Sequence, residues 1–586
     1  MAERQQVEEV RITRPGIRSV KSHLILAGVS ALLLMWSFPE PGLGWLAHIA
    51  LVPVVLLAIR AATLKGLFWT TFLVAYCWWM VMIYWLTPVT QGGYVGLALF
   101  MALYLPVSLV VLRILHTRWR MPLFLAVPMA WVTLEWVRGI TPAGGFGWYM
   151  LAHSQSPYLP EHGAGRLMQI ADIFGEWGVS FLVAMTNGMI CDLLSQPWVK
   201  VIDGKAKRNM VITASIGIWL VSMIAVFSYG TWRIGQTESA TGDGATVAVV
   251  QTNVAQNNKD NPRAEQIMAN WNEIAKLAIE ASRLEPKPAI IVLPETMVPF
   301  ALNPEAISYY SENDAAFFAR FHGLCEELAR ECSADLLVGS HAYFDFVEVP
   351  IPGSDETYPM PGRAFNSAFR YQPNGKQSST RYDKVHRVPF GEFIPWVDSL
   401  PWLKRMFIKY MTPYEVDYTL QAGDGLDVFG IPAGEQTIRA VTPICFEDTV
   451  ARLARSMIYA NGEKRADVMI NLTNDGWFAG SRQPVHHFQA AVFRCVENRV
   501  PMVRSVNTGV SGFISSAGAV GPVIDRSVSD VAAAKIGLDR RITVFGRIGQ
   551  APVVIIAAIT LVLTGISVVS ARSRRRKEAR NSIDSA

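Results

Sequence analysis

Long apolar segments alternate with short polar connections through the first 230 residues of the chain, and one more apolar segment lies near its end. Each is close to the roughly 20 residues that an α-helix needs to span a bilayer. The pattern predicts eight transmembrane helices, at about 22–38, 43–62, 66–87, 93–115, 121–138, 176–195, 210–229 and 550–571. The first is predicted to remain as an anchor, because further spans follow it and no small-residue cleavage site stands out.

Residues 231–549 have a different pattern, in which short β-branched runs alternate with longer segments of helical periodicity. This alternation is typical of stacked sheet and helix layers rather than of a barrel of hairpins. Helices are predicted at 263–284, 314–332, 447–460 and 484–498. Strands are predicted at ATVAVVQ, AIIVLPE, ADLLVGS, AFNSAFRY, TIRAVTPIC, DVMINLT and PMVRSVN.

Lysine and arginine collect in both tails and in alternate connections between the apolar segments. The connections FPEPG and TPVTQGG carry no basic residue, and the longer fifth connection is mixed. Because basic residues favour the cytoplasmic side, both termini are predicted to be cytoplasmic and residues 231–549 extracytoplasmic. The predicted organisation is a tail at 1–21, seven spans at 22–230, a soluble domain at 231–549, the eighth span at 550–571 and a basic tail at 572–586.

Composition narrows the classes of function. The 586-residue chain has a mean hydropathy of +0.24 and a net charge of only +5. Most of that charge lies at the ends of apolar segments, which argues against a nucleic-acid partner. His486 and His487 are adjacent, so they point apart on a helix and are interpreted as packing or hydrogen-bonding residues rather than metal ligands. Neither a metal nor a cofactor is predicted.

A cysteine, Cys445, ends the apolar run TIRAVTPIC and is followed by the acids of FED. A turn at this position, before a helix, would place the sulfur near backbone N–H groups that stabilise a thiolate. The alternative is an inert core thiol, because free cysteine is among the most buried residue types.

Two further stretches offer partners for a nucleophile. Glu295 ends the run AIIVLPE, where a carboxylate can take a proton from a thiol. Lys384 is followed eight positions later by Glu392, and a lysine near the thiol can stabilise the oxyanion of a tetrahedral intermediate. Each of these residues, taken alone, could equally be an ordinary solvated or capping side chain.

Taken together, these stretches resemble the Glu–Lys–Cys arrangement of the nitrilase (carbon–nitrogen hydrolase) superfamily, and the segment from NLTNDGW to SGFIS resembles its closing segment. Eight predicted spans indicate one branch, the apolipoprotein N-acyltransferases, whose nitrilase-like domain lies between the seventh and eighth transmembrane helices. Three membrane-domain segments also resemble that branch: SFPEPGLGWLAHIALVPVVLLA, TLEWVRGITPAGGFGWYMLAHSQ and GEWGVSFLV.

The resemblance implies a polytopic α-helical membrane domain joined to an α/β nitrilase-like αββα sandwich. By position, Glu295 would be the general base, Lys384 the oxyanion-stabilising lysine and Cys445 the nucleophile. Supporting or substrate-positioning roles would belong to Glu392, Glu447, Asn474, Asp475 and Trp477.

The resemblance also implies the substrates and the compartment. An acyl chain would pass from a membrane phospholipid, through a thioester on Cys445, to the α-amino group of the S-diacylglyceryl cysteine of an apolipoprotein. The reaction would take place at the outer face of a bacterial cytoplasmic (inner) membrane.

The chain departs from the family pattern at two positions. Asp260 stands where a functionally implicated tryptophan is usual, and Phe446 follows the nucleophile where some members have tyrosine. The first departure leaves open a paralogue with a different amine acceptor. Residues 346–363, rich in proline and glycine, are interpreted as a surface insertion.

A possible lid follows Glu392 in the segment WVDSLPWLKRMFIKYMTPYEV. Helical spacing places apolar residues on one stripe, with tryptophans at its flank, as in segments that rest at lipid headgroups. The predicted acyl-chain contacts are Trp402, Leu403, Phe407 and Met411. The alternative is a helix packed on the core of its own domain.

Two other functions stay open from sequence. One is a membrane-anchored amidase of the nitrilase type that hydrolyses small amides. The other is a transporter or polytopic scaffold, which is disfavoured because the spans contain few charges that face one another. An apolar entrance beside the three candidate catalytic residues would distinguish the acyltransferase from the amidase.

Overall fold

The computed structural model of the protein describes most of the chain. The described residues are 16–202, 205–255, 263–313, 316–350, 357–393, 395, 400, 402–406, 419–478 and 480–584. Three of the positions discussed above, Asp260, Phe407 and Met411, lie outside these ranges.

Helices that are long and apolar enough to cross a membrane occur at seven of the eight predicted spans. Their bounds are Val20–Ser37, Leu64–Met82, Gln91–Arg118, Leu123–Ile140, Glu176–Ser195, Met210–Gly235 and Ala551–Arg574. The chain is therefore a multi-pass membrane protein.

The second predicted span is shorter than expected. Residues 43–62 correspond to the apolar segment Gly44–Arg60, which is interrupted at Leu51. Pro53 lies in the first turn of the following helix and has no N–H to continue the ladder. The Asn187 side chain compensates, because it accepts a hydrogen bond from the Leu51 N–H at 2.8 Å and donates one to the Ala47 carbonyl at 2.9 Å.

The helices are numbered α1 to α18 in chain order. They are α1 Val20–Ser37, α2 Ala47–Ala50, α3 Val52–Arg60, α4 Leu64–Met82, α5 Gln91–Ala102, α6 Tyr104–Arg118, α7 Leu123–Ile140, α8 Ala171–Phe174, α9 Glu176–Ser195, α10 Met210–Gly235, α11 Thr237–Ala240, α12 Ala264–Ser282, α13 Pro304–Glu312, α14 Ala316–Cys332, α15 Ala451–Ile458, α16 Gln483–Asn498, α17 Val544–Ile548 and α18 Ala551–Asp584.

The strands are numbered β1 to β16. They are β1 Val199–Ile202, β2 Lys205–Arg208, β3 Thr241–Gln251, β4 Ile290–Val292, β5 Asp335–Pro350, β6 Thr357–Tyr371, β7 Gln377–Asp383, β8 Phe429–Ala433, β9 Gln436–Val441, β10 Tyr459–Ala460, β11 Glu463–Lys464, β12 Val468–Thr473, β13 Met502–Val506, β14 Ser511–Ile514, β15 Val520–Ile524 and β16 Asp530–Asp539. All seven strands predicted from sequence are among them.

Two six-stranded sheets form the centre of the soluble domain. The first has the strand order β16-β3-β4-β5-β6-β7 and the second the order β15-β14-β13-β12-β9-β8. Alternate residues of β3 pack in different layers, because successive side chains of a strand point to opposite faces. Val247 and Val249 pack in the core that includes the second sheet, whereas Ala248 and Val250 pack with α12 and α14.

The outer layer on the second sheet is α16, and every residue of this helix is buried. It lies between the sheet and the membrane domain, where Ser156 and Gln489 exchange side-chain hydrogen bonds with each other's backbone. The αββα sandwich therefore packs directly on the membrane helices.

One local prediction needs correction. The helix predicted at 447–460 begins at Ala451, because residues Cys445–Thr449 form a separate 3-10 turn and Val450 is extended. The described part of the predicted surface insertion at 346–363 forms the far end of the β5–β6 hairpin, paired as far as Pro350 and Thr357.

Candidate active site

Polar side chains follow three strand ends of the sandwich. Glu295 comes shortly after β4, Lys384 directly after β7, and Cys445 shortly after β9. The Lys384 ammonium lies 3.7 Å from a Glu295 carboxylate oxygen. Cys445 is brought to them by Glu447, which accepts hydrogen bonds both from the Val385 N–H after Lys384 and from the Ile444 N–H before Cys445. Both charges influence the pKa of the Cys445 thiol. The structure thus groups the three residues that sequence analysis singled out.

Glu295 is buried and held in place through both carboxylate oxygens. Oε1 accepts a hydrogen bond from the Asn366 side-chain amide at 2.7 Å, and Oε2 accepts one from the Asn474 backbone N–H at 2.8 Å. Burial raises the pKa of Glu295, and the Lys384 charge only partly opposes this. A carboxylate with a raised pKa is a stronger proton acceptor, as a general base requires.

Lys384 is buried between two carboxylates. Its ammonium donates to Glu392 Oε1 at 2.7 Å, and Glu392 Oε2 accepts the Val388 backbone N–H at 2.8 Å. Burial lowers the pKa of Lys384, but the Glu392 and Glu295 carboxylates outweigh it, so the pKa lies above its usual value. Lys384 is therefore a fixed cation at neutral pH.

Cys445 adopts the left-handed conformation, with φ of +51°. For a non-glycine residue this conformation is strained, and such strain is concentrated at functional sites. The side chain keeps partial exposure, whereas Cys191, Cys325, Cys332 and Cys495 are buried. Among these cysteines the inert-core interpretation suits Cys445 least.

The thiol of Cys445 is protonated at rest. Burial and the neighbouring Glu295 carboxylate raise its pKa well above the usual value, and Lys384 opposes them only in part. This differs from the expected stabilisation of a thiolate by backbone N–H groups. A nucleophile at this position would therefore need a base at the moment of attack.

Glu447 connects the nucleophile turn, residues Cys445–Thr449, to the segment that carries Lys384. Oε1 accepts the backbone N–H groups of Val385 and His386, each at 2.8 Å, and Oε2 accepts the Ile444 N–H at 2.8 Å. The Tyr382 hydroxyl donates to the same carboxylate. Burial raises the pKa of Glu447 to about 7.

The residues of the NDGW segment occupy different positions around the site. Asn474 holds Glu295 through its backbone, while Asp475 is buried behind it and accepts from His487 Nδ1 at 3.1 Å. His487 Nε2 bridges to Asp448 at 2.8 Å, and although burial lowers the pKa of His487, the two aspartates raise it to about 9. Trp477 is half-buried in the same turn.

The two adjacent histidines fit the interpretation given from sequence. His487 is the hydrogen-bonded bridge just described, and His486 packs edge-on against Tyr149 with ring centroids 4.7 Å apart. Asn366 is the residue that sequence analysis missed. It lies in β6 and its side-chain amide donates to Glu295 and also, at 3.3 Å, to Glu392.

Comparisons with known proteins identify the family of the chain. The family model of the apolipoprotein N-acyltransferase N-terminal domain matches residues 30–189, and that of carbon-nitrogen hydrolase matches residues 246–543. The apolipoprotein N-acyltransferase of Geobacter metallireducens is 31% identical over 524 residues, which cover 87% of this chain and 88% of that protein. The chain belongs to the apolipoprotein N-acyltransferase family.

Other members of the family are similar over nearly the whole length. The apolipoprotein N-acyltransferase of Haemophilus influenzae is 26% identical, covering 92% of this chain and 94% of its own. That of Rhodopirellula baltica is 27% identical, covering 94% and 98%. Membership in the apolipoprotein N-acyltransferase family confirms the resemblance and the nitrilase-like fold, and it favours an acyltransferase over an amidase.

The predicted lid is only partly described. Trp402 is 61% exposed and Leu403 is half-buried, whereas Phe407 and Met411 lie outside the described residues. The apolar stripe therefore stays a prediction for this member of the apolipoprotein N-acyltransferase family.

Aromatic rings connect the nucleophile turn to the membrane domain. Phe446 stacks on Trp148 with centroids 6.3 Å apart and on His386 at 5.8 Å. Trp148 contacts Trp85 at 5.4 Å, and the Trp85 indole N–H donates to the Tyr149 hydroxyl at 3.0 Å. An apolar surface therefore extends from the residue next to Cys445 into the membrane helices.

Tyr149 also lines a cavity of about 100 Å³ between α1, α3, α4, α6 and α7. Its walls are mainly apolar and include Ala27, Ala31, Leu34, Phe38, Val54, Val74, Ala75, Trp78, Trp79, Leu105 and Leu134. The cavity has room for part of an apolar chain, with the buried Glu135 and Arg138 at its boundary. It is an apolar feature of the membrane domain, and its lining does not include Glu295, Lys384 or Cys445.

Proposed function

We propose that this chain transfers an acyl chain from a membrane phospholipid to the α-amino group of a diacylglyceryl apolipoprotein, through a thioester on Cys445. The observation that carries the proposal is the grouping of the half-buried Cys445, a buried carboxylate and a buried ammonium next to aromatic rings that extend toward a membrane-domain cavity. A soluble amidase of small amides has no use for that path.

In the first step Glu295 takes the thiol proton as Cys445 Sγ attacks the ester carbonyl of the phospholipid. The Lys384 ammonium stabilises the negative charge that develops on the carbonyl oxygen. The ester C–O bond breaks, the departing alkoxide takes the proton back from Glu295, and a lysophospholipid leaves. The acyl chain remains on sulfur as a thioester.

In the second step the neutral α-amino group of the S-diacylglyceryl cysteine attacks the thioester. Glu295 accepts a proton from the amine, Lys384 again stabilises the oxyanion, and the C–S bond breaks. The departing sulfur recovers a proton from Glu295, so the free thiol is restored. Supporting roles are proposed for Glu392, which accepts a hydrogen bond from Lys384, and for Glu447, which connects the segment after Lys384 to the nucleophile turn.

The compartment follows the distribution of basic residues. Residues 231–549 are proposed to lie on the extracytoplasmic side, between the seventh and eighth spans, and both tails in the cytoplasm. This places the site at the membrane face where diacylglyceryl apolipoproteins would be presented.

The test is a search for the acyl-enzyme. Purified full-length protein is incubated with acyl-labelled phospholipid, and a hydroxylamine-labile label is expected on Cys445 together with released lysophospholipid. A diacylglyceryl-cysteinyl peptide with a free amino terminus should discharge the label. The same peptide with an acetylated amino terminus is the control and should leave the label intact.

Two results would contradict the proposal. Release of lysophospholipid by Cys445→Ala would exclude the thioester route. Discharge of the thioester by water as fast as by the peptide would favour an anchored hydrolase instead.

A further inference from the structure

A buried arginine connects the nucleophile turn to the membrane domain. Arg494 lies in α16 and is inaccessible to solvent. Its Nη1 donates to the carbonyl of Thr449 at 2.9 Å, and its Nη2 donates to Glu176 Oε2 at 2.9 Å. Thr449 is the last residue of the turn that begins with Cys445. One guanidinium therefore holds the end of that turn and a membrane-domain carboxylate at the same time.

Glu176, the first residue of the membrane helix α9, has partners besides Arg494, and one of them, Glu497, is itself paired with Arg494 at 3.0 Å. His153 Nε2 lies 2.8 Å from Glu176 Oε2, and the Glu176 backbone N–H donates to Glu497 Oε1 at 2.9 Å. All of these side chains are buried. A buried arginine retains its hydrogen-bond geometry only while its carboxylate partners remain in place, because an unpaired buried charge is strongly unfavourable.

A second contact joins the same two parts of the chain. The membrane-domain loop that follows α7 passes so close to the catalytic domain that a Cβ at Gly144 would lie 2.6 Å from the His386 ring. A Cβ at Gly147 would lie 3.7 Å from the Thr449 carbonyl, the same oxygen that Arg494 holds. The nucleophile turn is thus packed against the membrane domain on one side and bonded to it through Arg494 on another.

We propose that Glu176 is a positioning residue, which acts through Arg494 to fix the turn that carries Cys445, so that the membrane domain completes the catalytic site. This inference rests on the proposed role of Cys445 as the nucleophile. It extends the role of the membrane domain from anchoring and lipid access to the alignment of the reacting sulfur.

The chain offers a matched control for this proposal. Asp172 and Arg499 form another buried ion pair between the membrane domain and the residue that follows α16, with Arg499 Nη2 2.7 Å from Asp172 Oδ2. Arg499 also donates to Gln169 and to the Ser516 carbonyl, and none of these contacts involves residues 445–449. Loss of this pair removes a similar interaction but leaves the hydrogen bond from Arg494 to the Thr449 carbonyl in place.

The experiment compares Glu176→Gln, Arg494→Lys and Asp172→Asn in the purified full-length protein. Glu176→Gln and Arg494→Lys should lower kcat for acyl-enzyme formation by about tenfold to a hundredfold, as expected for a small displacement of a reacting group. KM for the phospholipid should stay unchanged. Asp172→Asn should lower the unfolding temperature by a comparable amount and leave kcat unchanged.

The second readout does not use lipid. Alkylation of Cys445 by iodoacetamide is followed by mass spectrometry of its peptide, because Cys77 is exposed as well. Glu176→Gln should change the rate and the pH profile of this alkylation, and Asp172→Asn should not. If Glu176→Gln does not accumulate as folded protein, His153→Gln replaces it in the experiment. This variant removes the imidazole that contacts Glu176 and leaves Arg494 in place, and it is expected to change the alkylation in the same direction.

Equal effects of Glu176→Gln and Asp172→Asn on kcat and on alkylation would overturn the proposal and leave a purely structural ion pair. A wild-type protein that forms no acyl-enzyme would refute the proposed function. The alkylation arm would still decide whether Glu176 positions Cys445, so the two failures are distinguishable.

Discussion

The reactivity of Cys445 depends on two neighbours of opposite charge. After burial, the Glu295 carboxylate is the largest influence that raises the pKa of the thiol, and the Lys384 ammonium is the one that lowers it. If Glu295 acted only through its charge, it would raise the pKa of the Cys445 thiol and so suppress the thiolate. Glu295 contributes to the reaction only if it takes the proton itself.

Replacement of Glu295 by glutamine separates these two effects. Loss of the carboxylate lowers the pKa of Cys445, so alkylation by iodoacetamide in Glu295→Gln should extend to lower pH than in the wild type. Acyl-enzyme formation should nevertheless fall by the roughly 10²- to 10⁴-fold that is typical of loss of a general base. A parallel rise of both rates would show that Glu295 is not the base.

The opposite shift is expected for Lys384→Met. Loss of the ammonium raises the pKa of Cys445, because the thiolate loses a favourable charge, and the alkylation profile should move to higher pH. Acylation should also slow, by an amount equivalent to about 3 kcal/mol of lost oxyanion stabilisation. Lys376→Met, at an exposed position in the turn between β6 and β7, is the matched control and should change neither profile.

Among the individual site residues, those that follow strand ends could be predicted from sequence, because an apolar run followed by a polar side chain is visible in the pattern. It did not predict Asn366. That residue is an inward position in the middle of β6, where nothing in the run AFNSAFRY separates a site residue from an ordinary buried amide. Its role becomes clear only when Glu295 and Glu392 are seen on either side of it.

Among the elements, the loop between α7 and the turn at Leu151 depends on glycine for a physical reason. Gly145 has φ of +92°, and a Cβ there would lie 2.2 Å from the carbonyl carbon of Gly139. The loop carries Trp148, which stacks on Phe446, and Tyr149, which lines the cavity. Its conformation therefore shapes the path from the nucleophile to the membrane.

Gly145→Ala should distort this loop, because both the positive φ and the backbone contact exclude a side chain. We expect a marked loss of turnover on long-chain phospholipid with less effect on alkylation of Cys445. Gly163→Ala is the control, since Gly163 also has a positive φ, +61°, but nothing lies within 4 Å of the added Cβ. Similar losses in the two variants would mean that loop strain alone, rather than the contact, matters.

Most elements could be predicted from sequence, and the failures have identifiable causes. Strands such as β7, QSSTRYD, and β16, DVAAAKIGLD, are half-exposed and largely polar or small, so their apolar alternation is weak. The second span was predicted too long because a hydropathy pattern does not show that Pro53 interrupts the helix. It also does not show that Asn187 satisfies the backbone groups freed at the interruption.

For the whole molecule, the contacts that join the two domains were not predictable. Glu176 and Arg494 are 318 positions apart, and although each lies in a segment that resembles the family, nothing in the sequence relates one to the other. Charged residues in α16 would ordinarily indicate a solvent-exposed face, yet both faces of this helix are covered. Burial on the second face depends on the membrane domain, which the local pattern of α16 cannot reveal.

The number of membrane crossings decides on which side the catalytic domain lies. The segment Gly44–Arg60 is short for a span, since its residues rise about 25 Å as helix against a hydrocarbon core of about 30 Å. If it did not cross, six crossings would precede the catalytic domain and the two termini would lie on opposite sides. The contacts at its end argue against this alternative.

Ile17, three residues before α1, lies beside the carboxyl end of α3. The Ile17 N–H donates to the Arg60 carbonyl at 2.8 Å, and Arg113, near the end of α6, donates to the carbonyls of Ala58 and Ala61 at 3.0 and 2.7 Å. The second segment thus returns to the level at which α1 begins and α6 ends. That geometry favours a segment that crosses together with α1, and it supports the prediction of eight crossings.

We therefore expect the catalytic domain outside and both tails inside. A reporter that is active only in the cytoplasm should be inactive when fused after Ala240, at the end of α11, and active when fused after the carboxyl-terminal residue. A reporter that is active only outside the cytoplasm should give the reverse signals and is the matched control. If the Ala240 fusion scores as cytoplasmic and the carboxyl-terminal fusion as external, the second segment does not cross. Cys445 would then face the cytoplasm, away from the proposed lipoprotein acceptor.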